Sequence, residues 1–259
     1  MASLRVAAPA LLVLGLAPAA HAERRAFAVT RDVDLQTEGV TELDWTSTHV
    51  LDAGWAGELE IVHGLGARWD VALLQHVAAP PAEVTVVGER TPDPGLTLGA
   101  FGSRVRYAPT DRGTWPVDLR GELSALKSPA SCRVTLAPRA VFARDLWRLR
   151  LVANAGADVA LDFGELERDC GHGAALEVST TATWAAGVRA RPWSSVDLGV
   201  EAFGDVADVG SGDRVGRAWV GPTASWARSS RLWATLGLGV VVAGAADDLV
   251  ARVGFGLAL

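Results

Sequence analysis

The sequence lacks the features that mark several common classes of protein. Among its 259 residues there are two cysteines, one methionine and one tyrosine, and Lys127 is the single lysine. After residue 22 there is no run of about 18 consecutive apolar residues, so no membrane-spanning helix is predicted. There is also no basic run, and the formal net charge of −6 has the wrong sign for binding phosphate. We therefore predict no nucleic-acid partner.

Signals for catalysis and for metal binding are weak. Ser47 and His49 are two residues apart, so on a strand their side chains would lie on the same face and could form a Ser–His pair. No carboxylate to orient the histidine and no oxyanion donors accompany this pair. Cys132, Cys170 and His172 lack a fourth ligand and match no zinc spacing. We therefore predict no enzyme, no metal site and no cofactor.

What the sequence does contain begins with an export signal. Residues 1–22 combine an early positive charge, Arg5, with an apolar run from Val6 to Pro18 and the tripeptide AHA at positions 20–22. This three-part pattern predicts a secretory signal peptide that is cleaved after Ala22. The apolar run is shorter than the span of about 20 residues that a transmembrane helix requires.

Downstream of the signal, apolar and polar residues alternate with a period of two. In "PVDLRGELSA", residues 116–125, every second residue from Asp118 to Ser124 is charged or hydroxylated. In "LWRLRLVANAGAD", residues 146–158, apolar residues at the odd positions alternate with Arg148, Arg150, Asn154 and Asp158. The alternation continues to the end of the chain, where large apolar residues at 253, 255, 257 and 259 are separated by Gly254, Gly256 and Ala258. Helical spacing would mix charged and apolar residues on each face, so these segments are predicted to be strands.

Twelve such strands are predicted, and most of them are long. They lie at about 40–51, 54–63, 68–77, 95–107, 115–126, 132–143, 146–158, 174–191, 193–205, 214–227, 230–242 and 247–259. Strands of soluble sheets usually have about 5–6 residues. A tilted strand that crosses a bilayer needs about 9–11 residues, which these segments match.

The connections between the predicted strands favour a membrane barrel. Connections after even-numbered strands are mostly very short, as at Gly64–Ala67 and near Ala143–Leu146, whereas the longest ones follow odd-numbered strands. Short periplasmic turns, longer outer loops and an even strand count are typical of an outer-membrane barrel. The predicted fold is therefore all-β: a single transmembrane antiparallel up-and-down β-barrel of about 12 strands over residues 40–259, with the last strand paired to the first.

A soluble exported sandwich is the main alternative, because it also buries one face of each strand. Trp69, Trp147 and Trp226 lie close to predicted turns, where the aromatic girdles of membrane barrels are found. In the membrane barrel, the apolar residues of the last strand face lipid and its small residues face the lumen.

The polar faces of the strands predict what lines the lumen. The predicted lumen-lining residues are Glu42, Asp44, Glu58, Glu60, Asp70, Arg104, Arg106, Asp118, Arg120, Glu122, Arg133, Arg139, Arg148, Arg150, Glu177, Arg189, Asp197 and Glu201. Arginines concentrate on the fourth to seventh predicted strands, and carboxylates flank them on both sides. This segregation would place a transverse field across a narrow aqueous path.

The same charges permit a second interpretation, in which they pair across the lumen and fill it. Barrels of about eight strands have filled interiors, and open channels are clear at about 16–18 strands, so twelve strands lie between these limits. Residues 23–39, "ERRAFAVTRDVDLQTEG", are predicted to form a periplasmic tail, with a contribution to a plug as the alternative.

The two cysteines predict a disulfide. Cys132 lies where the outer loop after the fifth predicted strand enters the sixth, and Cys170 lies in the outer loop after the seventh. Both are therefore on the same side of the barrel, in an oxidising compartment. A Cys132–Cys170 bond would tie two neighbouring outer loops together.

These features resemble those of a Gram-negative outer-membrane β-barrel protein. Within that class, "GELEIVHGLGARWDVAL" and "GVRARPWSSVDLGVEAFG" resemble hairpins of porin-like barrels of the putative transporter type. The resemblance implies a location in the outer membrane, contact with its lipid and insertion by the barrel-assembly machinery. Members of the class commonly end in an aromatic residue, whereas this chain ends in Leu259 and its nearest aromatic residue is Phe255.

The function predicted from the sequence is a passive channel or transporter for small solutes. The alternative is a structural or adhesive barrel with an occluded lumen that acts through its outer loops. A lipid-modifying enzyme built on Ser47 and His49 ranks third.

Overall fold

Period-two alternation produces the strands of this protein. The computed structural model describes residues 27–50, 54–79, 97–129, 131–163, 176–207, 215–229, 231–244 and 249–259. The strands are β1 (Thr41–Val50), β2 (Gly54–Gly66), β3 (Trp69–Ala79), β4 (Thr97–Tyr107), β5 (Asp118–Lys127), β6 (Arg133–Leu146), β7 (Leu149–Asp162), β8 (Glu177–Trp193), β9 (Val196–Ala207), β10 (Val215–Ala227), β11 (Leu232–Ala243) and β12 (Leu249–Ala258). Across the described residues, no helix is both long and apolar enough to span a membrane.

The strands form one closed barrel in which each strand pairs antiparallel with its neighbour in the chain. Closure comes from β1 and β12, where Trp45 lies opposite Phe255 and Leu43 lies opposite Leu257. A closed ladder leaves no edge strand with unpaired backbone groups, as hydrocarbon requires. The predicted fold class, a single up-and-down antiparallel barrel of twelve strands, is confirmed.

The barrel is polar inside and apolar outside. On β5, Arg120 and Glu122 point inward and are 0% and 7% exposed, whereas Leu123 points outward and is 53% exposed. Towards the end of β12 the inward residues are the predicted Gly254, Gly256 and Ala258, and Val253 and Phe255 lie on the exposed outer face. A soluble sandwich would bury its large apolar residues, so this pattern removes that alternative.

The two ends of the barrel differ in their connections, and we name them accordingly. The turn end carries the start of β1 and the connections after β2, β4, β6, β8 and β10; the loop end carries the connections after the odd-numbered strands. The turn between β6 and β7 is Trp147–Arg148, later in the chain than the predicted position near Ala143–Leu146. Asp145 looks like a turn residue but continues the ladder opposite Arg150. Trp147 then reverses the chain with a left-handed φ of 57°.

Residues 27–40, which we call the N-terminal segment, enter the barrel at its turn end: residues 27–36 lie inside, and residues 37–39 are exposed at the entrance. Phe27, Asp32 and Gln36 are 2%, 6% and 2% exposed. Over residues 27–36 this position agrees with the alternative of a plug and not with the predicted periplasmic tail over 23–39. The physical reason is the burial of apolar surface, because Phe27 and Val33 pack in one buried cluster with lumen-facing Val141, Ala143 and Val152. In a periplasmic tail these side chains would face water. The predicted signal peptide, residues 1–22, lies outside the described residues.

Candidate functional site in the barrel lumen

Glu201 holds the beginning of the N-terminal segment. Its carboxylate, on β9, accepts hydrogen bonds from the backbone N–H groups of Ala28 at 3.2 Å, Val29 at 2.9 Å and Thr30 at 3.0 Å. It also accepts one from the Thr30 hydroxyl at 3.2 Å. The segment has no partner strand here, so this one carboxylate satisfies donors that burial would otherwise leave unpaired.

Asn154 on β7 holds the next residue through both of its polar side-chain atoms. Its Oδ1 accepts from the Arg31 N–H at 2.6 Å, and its Nδ2 donates to the Arg31 carbonyl at 2.8 Å. A side-chain amide thereby replaces the backbone pairing that a neighbouring strand would supply. The contact fixes the position from which the Arg31 side chain extends into the lumen.

Asp32 makes the strongest ionic contact between the segment and the wall. Arg150 of β7 donates from Nε to Asp32 Oδ2 at 2.8 Å and from Nη2 to Asp32 Oδ1 at 2.5 Å, a bidentate arrangement. Arg189 of β8 lies 3.5 Å from the same carboxylate. Arg150 also donates to Asp145 at 2.9 Å. The Asp32 and Arg150 side chains are each about 4% exposed, which reduces screening by solvent.

The rest of the segment closes the turn end. The Gln36 N–H donates to Asp70 at 2.9 Å, and its Nε2 donates to Glu42 at 2.6 Å. Asp70 in turn accepts from Arg106. Arg120 donates to the Asp34 carbonyl at 2.7 Å. The direct contacts come from β1, β3 and β5, so the segment is anchored to one half of the wall here and to the other half through Glu201 and Arg150.

A cluster of opposite charges lies in the middle of the lumen. Arg104 on β4 donates to Glu60 at 2.7 Å across the intervening strand β3. Glu122 on β5 lies 3.6 Å from Arg31, 3.7 Å from Arg104 and 3.5 Å from Arg139. The arginines of β4 to β6 are therefore paired with carboxylates here. In the middle of the lumen, the arginines and carboxylates therefore pair with each other and fill the space, and no open water separates them.

Glu58 is the point where the cluster meets the remaining space. It accepts from His76 at 3.0 Å and lies 3.5 Å from Arg31. Its side chain is 19% exposed, against 1% for Glu60 two residues away. Along β2, the cluster thus changes from fully buried at Glu60 to partly exposed at Glu58.

A cavity of about 490 Å³ lies on the loop-end side of the N-terminal segment. Its floor is formed by residues 27–32, one wall by residues of β2 to β6 such as Glu58 and Arg139, and the other wall by residues of β7 to β10 such as Asp158. This volume is within the range of small-molecule sites, about 300–1,000 Å³. The lumen is thus closed at the turn end and hollow above it.

Several buried polar atoms in the lining have no hydrogen-bond partner within the part of the chain that the structure describes. Among them are Nη1 of Arg31, Oε2 of Glu122, Oγ1 of Thr183 and Nε1 of Trp219. Trp219 is only 8% exposed, and its ring stacks on Phe203 with centroids 5.4 Å apart. An unsatisfied buried polar group costs about 1–3 kcal/mol, so these atoms would gain from contact with a bound solute.

The structure places the predicted lumen-lining residues in three settings. Fifteen of them lie inside the barrel: Glu42, Asp44, Glu58, Glu60, Asp70, Arg104, Arg106, Asp118, Arg120, Glu122, Arg139, Arg150, Arg189, Asp197 and Glu201. Arg133 and Glu177 lie exposed at the loop end, where Arg133 pairs with Asp162 at 3.2 Å. Arg148 lies in the turn after β6, where its guanidinium stacks on Trp147 at 5.0 Å, so it does not face the lumen.

Several lumen residues escaped the prediction. Asn154 and Asp158 lie on the same inward face of β7 as Arg150, so the two-residue alternation of that strand could have predicted them. Arg31 and Asp32 escaped because their segment was assigned to the periplasm. Trp219 escaped because tryptophan was assigned to the lipid-facing side.

Ser47 and His49 lie on the outer face of β1 and do not form a catalytic arrangement. The Ser47 hydroxyl accepts a hydrogen bond from Trp55 Nε1, and the His49 ring lies 6.3 Å from the Trp55 ring. No carboxylate takes part in these contacts. Throughout the described ranges, no group of three or more potential metal ligands occurs.

Cys132 is 2% exposed at the start of β6. Its predicted partner, Cys170, lies outside the described residues, so the disulfide stays a prediction.

Comparisons with known proteins identify the fold. No family model matches the chain, and no curated protein matches it in sequence. An outer membrane channel from Pseudomonas putida F1 superposes with a TM-score of 0.61 at 12% identity, over 88% of this chain and 98% of that one. The NanC porin superposes with a TM-score of 0.55 at 9% identity, and the KdgM porin with 0.53 at 10%; each match covers 83% of this chain and 98% of the other. At these identities the likeness is one of fold: the chain is a closed β-barrel of the kind found in outer-membrane porins and channels.

Proposed function

We propose that this protein is an outer-membrane channel for small solutes that its own N-terminal segment closes from the periplasmic side. The observation that carries the proposal is the arrangement of the lumen: a hollow, charged cavity above, and residues 27–36 anchored across the barrel below. A barrel with a purely structural role would gain nothing from a cavity of small-molecule size that is lined by unsatisfied polar groups.

The orientation follows from the connections. Outer-membrane barrels place short turns on the periplasmic side and long loops outside. The turn end, with the N-terminal segment, would then face the periplasm, and the cavity would face the exterior. The outward leucine, valine and tryptophan side chains suit contact with lipid, which supports a location in the outer membrane.

Conductance in planar bilayers tests the proposal. We expect the full chain to conduct rarely, and a variant lacking residues 27–36 to show frequent, larger steps, because the deletion removes the anchors to Glu201, Arg150 and Asp70. Folding of both proteins is checked by heat-modifiable migration, in which boiled and unboiled barrels run apart on a gel. A folded deletion variant that stays silent would contradict the channel.

A structural barrel that acts through its outer loops is the second candidate. It is favoured by the buried ion pairs that fill the turn end, such as Asp32 with Arg150 and Arg104 with Glu60. The same conductance experiment separates the two functions, since a scaffold would remain closed after the deletion.

A further inference from the structure

The cavity presents opposite charges with incomplete partners. Arg31 lies on the floor with its Nη1 unpartnered. Asp158, on the β7 wall, makes no ion pair within 4 Å and no hydrogen bond with the other residues that the structure describes; Arg139 and Asp205 are charged neighbours further away. Arg104 and Glu122, by contrast, lie 3.7 Å apart, and the Glu122 oxygen that accepts no hydrogen bond lies 3.6 Å from Arg120. The open hydrogen-bonding positions of opposite charge are therefore Arg31 Nη1 and the Asp158 carboxylate.

Neutral polar groups lie beside the free carboxylate. Thr183 of β8 lies directly opposite Asp205 of β9 and one diagonal step from Asp158, which pairs in register with Thr181. The Thr183 hydroxyl is unpartnered, and so is the indole N–H of Trp219, whose neighbour across the ladder is Phe203, two residues before Asp205. The β7 to β10 wall thus offers a carboxylate, a hydroxyl and an N–H donor around one end of the cavity.

Solutes with one charge would leave part of this lining unsatisfied. A simple cation has no acceptor for Arg31 Nη1 or for the Trp219 N–H. A simple anion would suit those donors but would face the Asp158 carboxylate, and Asp205 lies beside it. A neutral solute would offer Arg31 Nη1 and the Asp158 carboxylate only uncharged partners, without the Coulomb attraction that a charged partner adds. The lining therefore favours a solute that supplies an anionic acceptor at Arg31 Nη1 and a cationic donor at Asp158.

We infer that the cavity binds a small zwitterion, with its carboxylate at Arg31 and its ammonium group at Asp158 and the Thr183 hydroxyl. The inference rests on the proposed channel function, because it names the class of solute that the channel takes. It also gives the solute a direct contact with the N-terminal segment, since Arg31 belongs to that segment and is held by Asn154.

Isothermal titration of the full chain in detergent at pH 7 tests the inference with three probes of equal carbon number. The probes are 4-aminobutyrate, butyrate and butylammonium. We expect 4-aminobutyrate to bind about tenfold or more tighter than either singly charged probe, because a charge-assisted hydrogen bond is worth about 1.5–3 kcal/mol. Equal binding of all three probes, or of none, would overturn the inference.

The variant Asp158→Asn gives the sharper result. It should weaken 4-aminobutyrate binding about tenfold and leave butyrate binding unchanged or improved, since only the ammonium partner is lost. Thr183→Val, which keeps the side-chain shape, should weaken the zwitterion by a smaller factor. Asp162→Asn is the matched control: it lies four residues further along β7, pairs with Arg133 and does not line the cavity, so binding should not change. Equal effects of the 158 and 162 substitutions would contradict the site.

The two proposals fail separately. Binding of 4-aminobutyrate that depends on Asp158, in a protein that never conducts, would support the site and reject the channel. Conductance after removal of residues 27–36, without discrimination among the three probes, would support the channel and reject the site. Heat-modifiable migration confirms that each variant is folded before titration.

Discussion

Single side chains of the wall decide where the N-terminal segment lies. A segment that enters a barrel without pairing as a strand must find acceptors for its backbone N–H groups. Glu201 supplies three such acceptor contacts and Asn154 pairs with both polar groups of the Arg31 backbone. A few wall residues at specific positions thus hold the segment inside the lumen, where no neighbouring strand pairs with its backbone.

Gly187 should be required for that position. A Cβ added at Gly187 would lie 2.5 Å from the Phe27 ring, whereas one added at Gly66 would meet nothing within 4 Å. We expect Gly187→Ala to displace Phe27, because overpacking costs about 1–3 kcal/mol. Limited trypsin digestion detects the displaced segment: cleavage after Arg31 should appear in Gly187→Ala and not in Gly66→Ala. Equal protection of Arg31 in both variants would contradict the role of this contact.

Asp32 and Arg150 should be strongly coupled. Arg150→Gln leaves the Asp32 carboxylate buried, with the Val33 N–H and the longer contact to Arg189 as its partners, and breaking a buried pair typically costs about 3–5 kcal/mol. Adding Asp32→Asn removes the orphaned charge and should restore part of that loss. Urea unfolding in lipid vesicles, followed by tryptophan fluorescence, measures both variants. A double variant that is no more stable than Arg150→Gln would show that the pair is not coupled.

At the scale of elements, strands were predictable and the N-terminal segment was not. All twelve strands appear near their predicted positions, since an inside-out barrel imposes strict alternation on every one. The turn after β6 was misplaced because Arg144 and Asp145 are polar, yet both pair with β7. Residues 27–40 have no such repeat, and residues 28–32 are held by partners more than 100 positions away in sequence.

The predicted bond between Cys132 and Cys170 belongs to this scale. It would close a loop of 39 residues between the two cysteines. In the loop-entropy model this is worth about 4 kcal/mol. We expect no thiol to react with maleimide in the unfolded, unreduced chain, and two to react after reduction. Two reactive thiols without reductant would show that the bond is absent.

At the scale of the whole molecule, the barrel inverts the usual distribution of residues. Its buried ion pairs are inside and most of its large apolar side chains are outside, so its stability depends on the medium around it. Burial of charge is offset by pairing in the lumen, as between Arg106 and Asp70. Lipid removes the apolar exterior from water, a role that a core plays in a soluble protein.

A matched pair of outward substitutions tests this dependence. Leu123, midway along β5, and Leu65, at the turn end of β2, are 53% and 57% exposed. In a membrane, Leu123→Arg should cost about 2–4 kcal/mol and Leu65→Arg about 1 kcal/mol or less, because the penalty falls from the midplane to the interface. Urea unfolding in vesicles measures both. Near-zero costs at both positions would indicate that water, not lipid, surrounds β5.

The sequence by itself determined the strands, the closure of the barrel and the faces that point inward. These follow from a two-residue period, which each strand carries locally. The contents of the lumen were decided only by the tertiary structure. Whether Arg104 faces open water or Glu60, and whether residues 27–40 hang free or plug the barrel, depends on which side chains the closed ring brings within a few ångströms of each other. Pairing across a lumen leaves no periodic trace in the chain, because its partners come from separate strands.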